Sequence, residues 1–413
     1  MSSSVAGPEV ISLGCRLNLA ESETIRTLLG SDGVVVVNSC AVTNEAVRQT
    51  RKEIRRARRA RPSAQLVVTG CAAQIDPAAF MAMPEVDRVI GNAEKLSSEA
   101  WEAYDTKVQV QDIMAVRQTA PHLAASFSAH ARAFVEVQNG CDHRCTFCAI
   151  PYGRGNSRSV PAGAVIERIA GLVVAGHREI VLTGVDLTSY GPDLPGSPTL
   201  GQLVERILAH TDVERLRLSS LDGIEIDDRL FALLTQEQRI LPHVHLSLQA
   251  GDDMILKRMK RRHSRAQSVA LVERLKAARP EIAIGADLIA GFPTEDEAMA
   301  ANTRALIDDC DIVHAHIFPY SPRDGTPAAR MPQLAIATIK ARAAALRERA
   351  AARRMVWLDA QRGTVQRVLI ERPGDRGHAG NFAEVRLPLH KVGTIATVKI
   401  ERVQDGKLIG AAA

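Results

Sequence analysis

Three of the seven cysteines stand close together, at Cys141, Cys145 and Cys148, with three and then two residues between them. A disulfide uses two thiols, and a structural zinc site usually takes four ligands. A [4Fe–4S] cluster normally has four cysteine ligands, so three thiolates leave one iron with an open coordination position. In catalytic zinc sites such an open position is where water or substrate binds. The spacing therefore predicts an iron–sulfur centre that binds a small molecule.

Two other interpretations of these cysteines stay open. His143 lies between the first two, so two of the thiols and this imidazole are potential ligands of a zinc knuckle. The three thiols are also open to interpretation as unrelated core residues. Phe147 just before the last cysteine, and the predicted strand before the first, favour the cluster over both alternatives.

Three further cysteines, Cys15, Cys40 and Cys71, are far apart in the sequence, but each follows a predicted strand. The carboxyl ends of neighbouring parallel strands lie at one edge of a sheet, so distant thiols at those ends can meet. Each stands beside a small or turn-forming residue, in LGCRLN, NSCAVT and VTGC. We predict a second metal site here, with scattered core cysteines as the alternative. Cys310 has no such setting and is predicted to pack in the core.

The composition is typical of a globular chain of two or three domains, with 46% hydrophobic and 24% charged residues among 413. No stretch approaches about eighteen uninterrupted apolar residues, and the first ten residues have neither a charged start nor an apolar run. We therefore expect no membrane span, no signal peptide and a cytoplasmic location. Cysteines stay reduced in that compartment, which favours metal ligation over disulfides.

The first part of the chain alternates short apolar strands with helical stretches. Strands are predicted at 8–13, 34–38 and 65–69. This βαβ alternation predicts a small parallel sheet that extends to about residue 105. The segment 118–132 has weak periodicity and many small residues, and is predicted to be a linker.

Six strands alternate with helices in the middle of the chain, which predicts a partial or full α/β barrel with its active face at the carboxyl ends of the strands. The strand candidates are 134–138, 179–183, 214–219, 244–248, 282–288 and 312–318. One amphipathic helix should end at Gly176, and another should begin after Pro293, where Thr294 and Glu297 can form a capping box. A long helix is predicted at 332–361, and a small antiparallel barrel or sandwich follows it.

The net charge of +5 is concentrated in one predicted helix, since residues 43–61 carry eight basic and two acidic side chains. A second basic run lies at 257–265, and the C-terminal segment is also basic. Such runs are typical of nucleic-acid contacts, but also of solvated faces. Few acidic residues lie at i±4 in helix 43–61, which favours contact with phosphates there. Aromatic residues are only 3%, so backbone contacts should dominate over base stacking.

The motif GCDHRCTFCAIPYGRG resembles that of the radical S-adenosylmethionine (SAM) enzymes. A second three-cysteine region before the barrel and a small β domain after it extend the resemblance to the methylthiotransferases, over essentially the whole chain. The same resemblance is carried by LTGVDLTSYG, LQAGDDMILKRMKRRHSR, DLIAGFPTEDE and FPYSPRDGTPAARM. One departure is that the segment between Cys15 and Cys40 is shorter than the family pattern.

The resemblance implies an α/β chain of four parts. These are an N-terminal methylthiotransferase domain with a small parallel α/β sheet at 1–117, a radical-SAM partial TIM-type barrel at 133–330, a helical connector at 331–361 and a TRAM-like, RNA-binding small β-barrel at 362–413.

The same resemblance implies two [4Fe–4S] clusters and SAM as cofactors. The set Cys141, Cys145 and Cys148 would hold the cluster that binds SAM, and the other three cysteines would hold an auxiliary cluster that delivers sulfur. One SAM molecule would methylate the sulfur and another would form a deoxyadenosyl radical. The implied partners are the anticodon loop of a tRNA, an electron donor such as flavodoxin or ferredoxin, and a sulfur source, with no membrane.

The branch within the family is expected to be the one that modifies N6-threonylcarbamoyladenosine 37 of tRNA at C2, because of RLSSLDGIEID and LTGVDLTSYG. The isopentenyladenosine branch usually has Thr-Ser-His-Pro where Ser219, Ser220, Leu221 and Asp222 stand. Methylthiolation of isopentenyladenosine or of a ribosomal-protein aspartate, and a non-catalytic metal-containing RNA-binding protein, remain as alternatives.

Phe147 of the cysteine motif is predicted to contact the cofactor, as are Gly184, Asp186, Gln249 and Asp287 at or near strand ends. The glycine could equally be a plain turn residue. No catalytic side chain is predicted beyond the ligands of the clusters.

Overall fold

A computed structural model describes residues 8–29, 33–103, 105–117 and 131–412. The predicted linker lies largely outside these residues, and its last residue, Arg132, begins a strand instead. Within the described residues, no helix combines the length and the apolar character that a membrane crossing requires.

The N-terminal part is a parallel α/β sheet. Its elements are β1 (Glu9–Ser12), α1 (Arg16–Leu28), β2 (Val34–Ser39), α2 (Asn44–Ala60), β3 (Gln65–Gly70), α3 (Cys71–Ile75), α4 (Pro77–Met81), β4 (Arg88–Ile90), α5 (Ser98–Glu102) and β5 (Val108–Gln109). The five strands pair in sequence order, all parallel. Both faces of the sheet are buried, with α2 on one side and α1 on the other, which explains the unbroken valine run of β2. The predicted parallel sheet is confirmed.

The middle of the chain folds into an arc of parallel strands. Its elements are β6 (Arg132–Glu136), β7 (Gln138–Asn139), α6 (Ile150–Arg154), β8 (Arg158–Ser159), α7 (Ala162–Val174), β9 (Glu179–Thr183), α8 (Leu200–His210), β10 (Arg215–Leu218), β11 (Ser220–Leu221), α9 (Asp228–Gln236), β12 (His243–Gln249), α10 (Asp253–Arg258), α11 (Arg265–Ala278), β13 (Ala283–Ala290), α12 (Glu297–Asp309) and β14 (Ile312–Pro319). The order β6-β9-β10 continues as β11-β12-β13-β14. This is the partial barrel that the alternating pattern predicted.

Alternation along the strands separates a helix-covered outer face from a polar inner face. In β10, Leu216 and Leu218 belong to the core formed with the helices, whereas Arg215 and Arg217 point inward to Glu179 of β9. The interior of the arc is therefore lined by charged side chains, and the strand pattern itself dictates which ones.

The C-terminal part consists of a long helix and a closed five-stranded barrel. Its elements are α13 (Ile336–Asp359), β15 (Val365–Glu371), β16 (Arg376–His378), β17 (Glu384–Arg386), β18 (Ile395–Gln404) and β19 (Lys407–Ala412). The barrel order is β15-β16-β17-β19-β18. The predicted small barrel is confirmed, but it is not wholly antiparallel, because β17 and β19 pair in parallel to close it.

One predicted helix start is wrong. Thr294 has φ +66°, so it lies in the left-handed region rather than in the extended backbone of an N-cap, and its hydroxyl donates to the Pro293 carbonyl. Asp296 caps α12 instead, with its carboxylate accepting from the Met299 N–H at 2.9 Å. The other predicted boundary holds: α7 ends at Val174, and Gly176 follows with φ +95°.

Candidate functional site

The loop with Cys141, Cys145 and Cys148 is fixed to the barrel by backbone contacts. Gly140 has φ +73°, and a Cβ there would lie 1.9 Å from the Asn156 carbonyl oxygen, so only glycine allows the loop to turn there. The Cys141 N–H donates to the Gly155 carbonyl at 3.0 Å, and the Cys148 N–H donates to the Cys145 carbonyl at 3.1 Å. The three thiols are thus presented on one tight turn.

The environment of this first trio suits a metal better than free thiols. Burial raises the pKa of Cys148 to about 12, and the neighbouring Cys145 adds to this shift. Burial and the Asp186 carboxylate raise the pKa of Cys141 as well. The Nη1 atom of Arg261 lies 3.7 Å from the Cys145 sulfur. Because thiolates are the metal-binding form, clustered and half-buried thiols of this kind need a cation to ionise together.

The second trio comes together as the sheet topology predicted. Cys15 precedes α1, Cys40 follows β2 and Cys71 begins α3, all at the carboxyl edge of three adjacent strands. A Cβ on Gly14 would lie 2.7 Å from the Cys40 sulfur, so a larger residue would displace that thiol. Burial raises the pKa of Cys40 to about 11, with smaller contributions from Cys71 and Cys15. This donor set, like the first, fits a three-thiolate cluster.

Cys15 and Cys310 lie in different environments: Cys15 belongs to the candidate metal site, and Cys310 belongs to the hydrophobic core. Cys15 has accessible surface at the carboxyl edge of the N-terminal sheet, and the surrounding protein raises the pKa of its thiol by desolvation. Cys310 is fully buried and belongs to the hydrophobic core between β13, β14 and the helices. The prediction that Cys310 packs in the core is confirmed.

A buried ionic network, which was not predicted from the sequence, joins the second trio to the barrel. Arg154 of α6 donates to Glu21 of α1 at 2.6 and 2.9 Å, and its Nε atom lies 3.3 Å from the Cys71 sulfur. Lys95 donates to the same carboxylate at 2.6 Å. Burial alone would raise the pKa of Glu21, but Arg154 and Lys95 lower it to about 2. The arginine of PYGRG, directly after the cysteine motif, was the available signal.

Some of the residues predicted to contact the cofactor lie near the first cysteine trio. The Phe147 ring packs edge-on against Phe292 at 6.4 Å, and Gln249 has φ +67° at the end of β12. The Asp186 carboxylate accepts from His143 at 2.8 Å and lies 3.8 Å from the Cys141 sulfur.

The two remaining candidates have protein partners of their own. Gly184 lies against Gln138, whose side chain also accepts from the Asp186 N–H. Asp287 lies deeper in the barrel, where it binds His245 and His316. A cofactor contact at each of these five positions stays a prediction.

Comparison with known proteins identifies the family. The profile of the Radical SAM superfamily matches residues 135–307, and that of the Uncharacterized protein family UPF0004 matches residues 9–91. The threonylcarbamoyladenosine tRNA methylthiotransferase MtaB of Rickettsia prowazekii is 48% identical over 403 residues, which cover 96% of each chain. The chain belongs to this methylthiotransferase family. The methylthiotransferase therefore uses SAM and [4Fe–4S] clusters.

Two further matches define how far the likeness extends. The tRNA-2-methylthio-N(6)-dimethylallyladenosine synthase of Novosphingobium aromaticivorans is 34% identical, over 90% of this chain and 88% of its own. The structure of the radical S-adenosylmethionine methyltransferase TsrM from Kitasatospora setae, with cobalamin and a [4Fe-4S] cluster bound, aligns with a TM-score of 0.54 at 18% identity, over 76% of this chain and 69% of its own. That structural match shows a shared fold.

In the methylthiotransferase, acidic side chains pair with more of the basic residues of segment 43–61 than the sequence indicated. In α2, Arg48 pairs with Glu45 and Arg56 with Glu53 at i, i+3. Further arginines of this segment reach acidic groups of other elements, in the pairs Arg55–Glu85, Arg58–Asp87 and Arg61–Glu9. Lys52 and Arg59 are exposed and have no ion pair within the described part of the chain. Any phosphate contact by α2 therefore depends on fewer charges than the eight counted in the sequence.

The run 257–265 is mainly structural. Arg258, Arg261 and Arg265 donate to backbone carbonyls of the barrel, and Arg261 also binds the Asp222 carboxylate at 2.9 Å. These side chains hold α10 and the cysteine loop in place. RNA contact by this run stays a prediction; its exposed basic residues are Lys257, Lys260 and Arg262, and Arg262 is paired with Asp222 and Glu225.

Proposed function

We propose that the chain transfers a methylthio group to C2 of N6-threonylcarbamoyladenosine 37 in the anticodon loop of tRNA. The observation that carries this proposal is the 48% identity to the Rickettsia prowazekii methylthiotransferase over 96% of both chains. The two cysteine trios supply the donor sets that the reaction needs.

Cys141, Cys145 and Cys148 would hold one cluster, and Cys15, Cys40 and Cys71 the other. When bound, these clusters and SAM supply a radical that can take hydrogen from the unactivated C2–H bond, and the sulfur that replaces it. The protein's own contribution is to orient and to shield. Arg154 connects the second cysteine trio to the barrel through its contact with the Cys71 sulfur. Arg261 lies beside the Cys145 sulfur of the first trio, and the Asp222 carboxylate holds this arginine in place.

A buried carboxylate near the cysteine loop bears on the choice between the threonylcarbamoyladenosine and isopentenyladenosine branches. Asp222 stands where the isopentenyladenosine pattern has proline, and here its carboxylate is buried and accepts from Arg261 and Arg262. Proline would leave two guanidinium groups next to the cysteine loop without this acceptor. This supports a site built differently from that of the isopentenyladenosine enzymes.

We also propose that the enzyme acts in the cytoplasm on an unpaired base of the anticodon loop, with flavodoxin or ferredoxin as electron donor and a separate source of sulfur. A target in a single-stranded loop can be presented without opening a duplex.

Mass spectrometry of tRNA nucleosides from a strain without this chain tests the proposal. The 2-methylthio group should disappear from threonylcarbamoyladenosine, and a plasmid with the wild type or with Cys310→Ala should restore it. Cys145→Ala should not restore it. Loss from the isopentenyl nucleoside instead would show that the other tRNA branch is correct, and no change in either nucleoside would contradict both.

A further inference from the structure

A cavity of about 340 Å³ opens inside the barrel, at the bottom of strands β12 and β14, and the mechanism proposed above leaves it unused. This is at the lower end of the range for small-ligand pockets, roughly 300–1,000 Å³. Three parts of the chain contribute to its wall: the start of α1, the inner faces of the barrel strands with α13, and the C-terminal barrel. The lining includes Arg16, His243, His245, His314, His316, Arg347, Arg354 and Phe382.

The positive charge of the cavity comes from its arginines, because burial lowers the pKa of His243 and of His314 and keeps both rings neutral near neutral pH. Three arginines and four histidines line it, and no carboxylate is among the lining residues. Asp287, directly behind two of the histidines, accepts from His245 at 3.0 Å and from His316 at 3.1 Å through the same oxygen. Burial alone would raise the pKa of Asp287, but these hydrogen bonds hold it below its usual range. The carboxylate thus orients the two rings, and together with Glu179 it attracts the Arg16 guanidinium without forming an ion pair with it within the described residues.

Several polar groups of the cavity lack a partner. His243 is only 3% exposed, yet neither ring nitrogen has a hydrogen-bond acceptor or donor within the described residues. The Arg16 guanidinium contacts the Phe382 ring at 5.5 Å but makes no hydrogen bond or ion pair in the part of the chain that the structure describes. His316 is exposed at the cavity and uses Nδ1 for Asp287, which leaves Nε2 for a ligand. An unpaired buried polar group such as His243 is costly, so a polar ligand is expected here.

The position of Arg16 connects this cavity to the reaction. Arg16 directly follows Cys15, a predicted ligand of the auxiliary cluster. In adenine, C2 and the N6-bearing C6 flank N1 on the same edge of the ring. A base whose C2 faces the second cysteine trio directs its N6 substituent to one side of that trio, and the peptide bond from Cys15 to Arg16 links the trio to the lining of the cavity.

We propose that this cavity binds the free carboxylate of the N6-threonylcarbamoyl substituent, with Arg16 and His316 as its direct contacts. The inference rests on the proposed function and extends it, because it identifies the residues that recognise the substituent. An arginine binds a carboxylate through a charge-assisted hydrogen bond, and the histidine ring can pair with the carboxylate or the threonyl hydroxyl. An isopentenyl group would leave the same polar atoms unpaired, so the cavity selects against it.

A backbone phosphate of the tRNA has the same anionic chemistry and is the other possible source. The two are distinguished with three anticodon stem-loop RNAs that differ only at position 37. One carries threonylcarbamoyladenosine, one carries its carboxylate methyl ester, and one carries unmodified adenosine. All three contain the same phosphates, so any difference in affinity comes from the substituent.

Binding to the cluster-loaded enzyme is measured by fluorescence anisotropy. The wild type should bind the acid form roughly tenfold or more tightly than the ester, the size expected for a hydrogen bond to a charged group. Arg16→Gln and His316→Gln should each reduce that ratio toward one without changing the affinity for unmodified RNA. Arg349→Gln, on the outer side of α13 where it pairs with Asp308, is the control and should behave as the wild type.

Three results would overturn the inference. They are equal binding of acid and ester by the wild type, an unchanged ratio in both variants, and a parallel loss for all three RNAs, which would indicate a phosphate site. Iron content checks that Arg16→Gln keeps its clusters, and His316→Gln provides a variant that is not next to a cysteine. Because these comparisons measure binding, they remain interpretable if nucleoside analysis rejects the proposed reaction.

Discussion

The Nε atom of Arg154 lies 3.3 Å from the sulfur of Cys71, although 83 positions separate the two residues in the chain. The same guanidinium binds the buried Glu21 carboxylate through two further nitrogens. Arg154 comes from the turn after the first cysteine trio, and Cys71 belongs to the second. A single cation thus connects the two candidate metal sites and compensates buried negative charge between them.

Replacing Arg154 should destabilise the enzyme strongly. Arg154→Gln leaves Glu21 with Lys95 as its one charged partner, and breaking a buried ion pair costs roughly 3–5 kcal/mol. The measurement is urea unfolding of the purified, cluster-loaded protein. Arg229→Gln is the matched control, because Arg229 and Glu205 form an exposed pair, worth at most about 1 kcal/mol. Equal stability of the two variants would contradict the structural role of the network.

Iron content should fall in two separate steps. A [4Fe–4S] cluster holds four irons, so the anaerobically reconstituted wild type should contain about eight per chain. Replacing Cys141, Cys145 and Cys148 by alanine should leave about four, and so should replacing the other trio. Cys310→Ala should keep all of them, since this thiol is a core residue. About one zinc per chain and no iron would instead support the zinc-knuckle interpretation.

Lowering the pH should remove the contribution of the Glu179 carboxylate to the stability of the folded protein. This buried carboxylate binds Arg217 at 3.0 Å and Arg215 at 2.8 Å; burial alone would raise its pKa, but the two arginines lower it to about 2. A carboxyl with a depressed folded-state pKa stabilises the protein above its unfolded value of about 4.5, and this stabilisation is lost as the pH falls toward about 2.

Glu179→Gln cannot titrate, so it isolates this effect. Near neutral pH the wild type should be more stable by about 3 kcal/mol, and the difference should shrink as the pH falls below about 4.5. Urea unfolding at several pH values between 6 and 3 measures it. Glu205→Gln, at an exposed pair, should show little difference throughout. A constant difference for Glu179→Gln would mean that the ion pair does not titrate as described.

RNA binding by α2 should depend on Lys52 and Arg59, its two exposed cations without an ion pair in the described part of the chain. If Lys52 and Arg59 contact phosphates, then replacing both by glutamine should weaken binding of every anticodon stem-loop RNA alike and lower the slope of log affinity against log salt by about two. Arg48→Gln, which removes an arginine already paired with Glu45, should change the slope less. An unchanged slope in the double variant would place the RNA on another face.

Local patterns explain why most elements were predictable. The valine run of β2, the alternation in β10 and the glycine after α7 each depend on neighbours within a few residues, and the structure has all three where expected. The start of α12 was mispredicted because the left-handed backbone at Thr294 excludes that residue as the N-cap, and Asp296, two residues later, caps the helix.

The sequence by itself determined the chemistry of the donor groups and their order along the chain. Cysteine spacing is local information, and the βαβ rhythm places strand-end thiols at one edge, so both trios could be predicted without coordinates. Only the tertiary structure decided which distant charges meet them: Arg154 with Cys71, Arg261 with Cys145, and Arg16 with the histidines of β12 and β14. The physical reason is that buried charges are paired by three-dimensional proximity, which residue spacing does not encode.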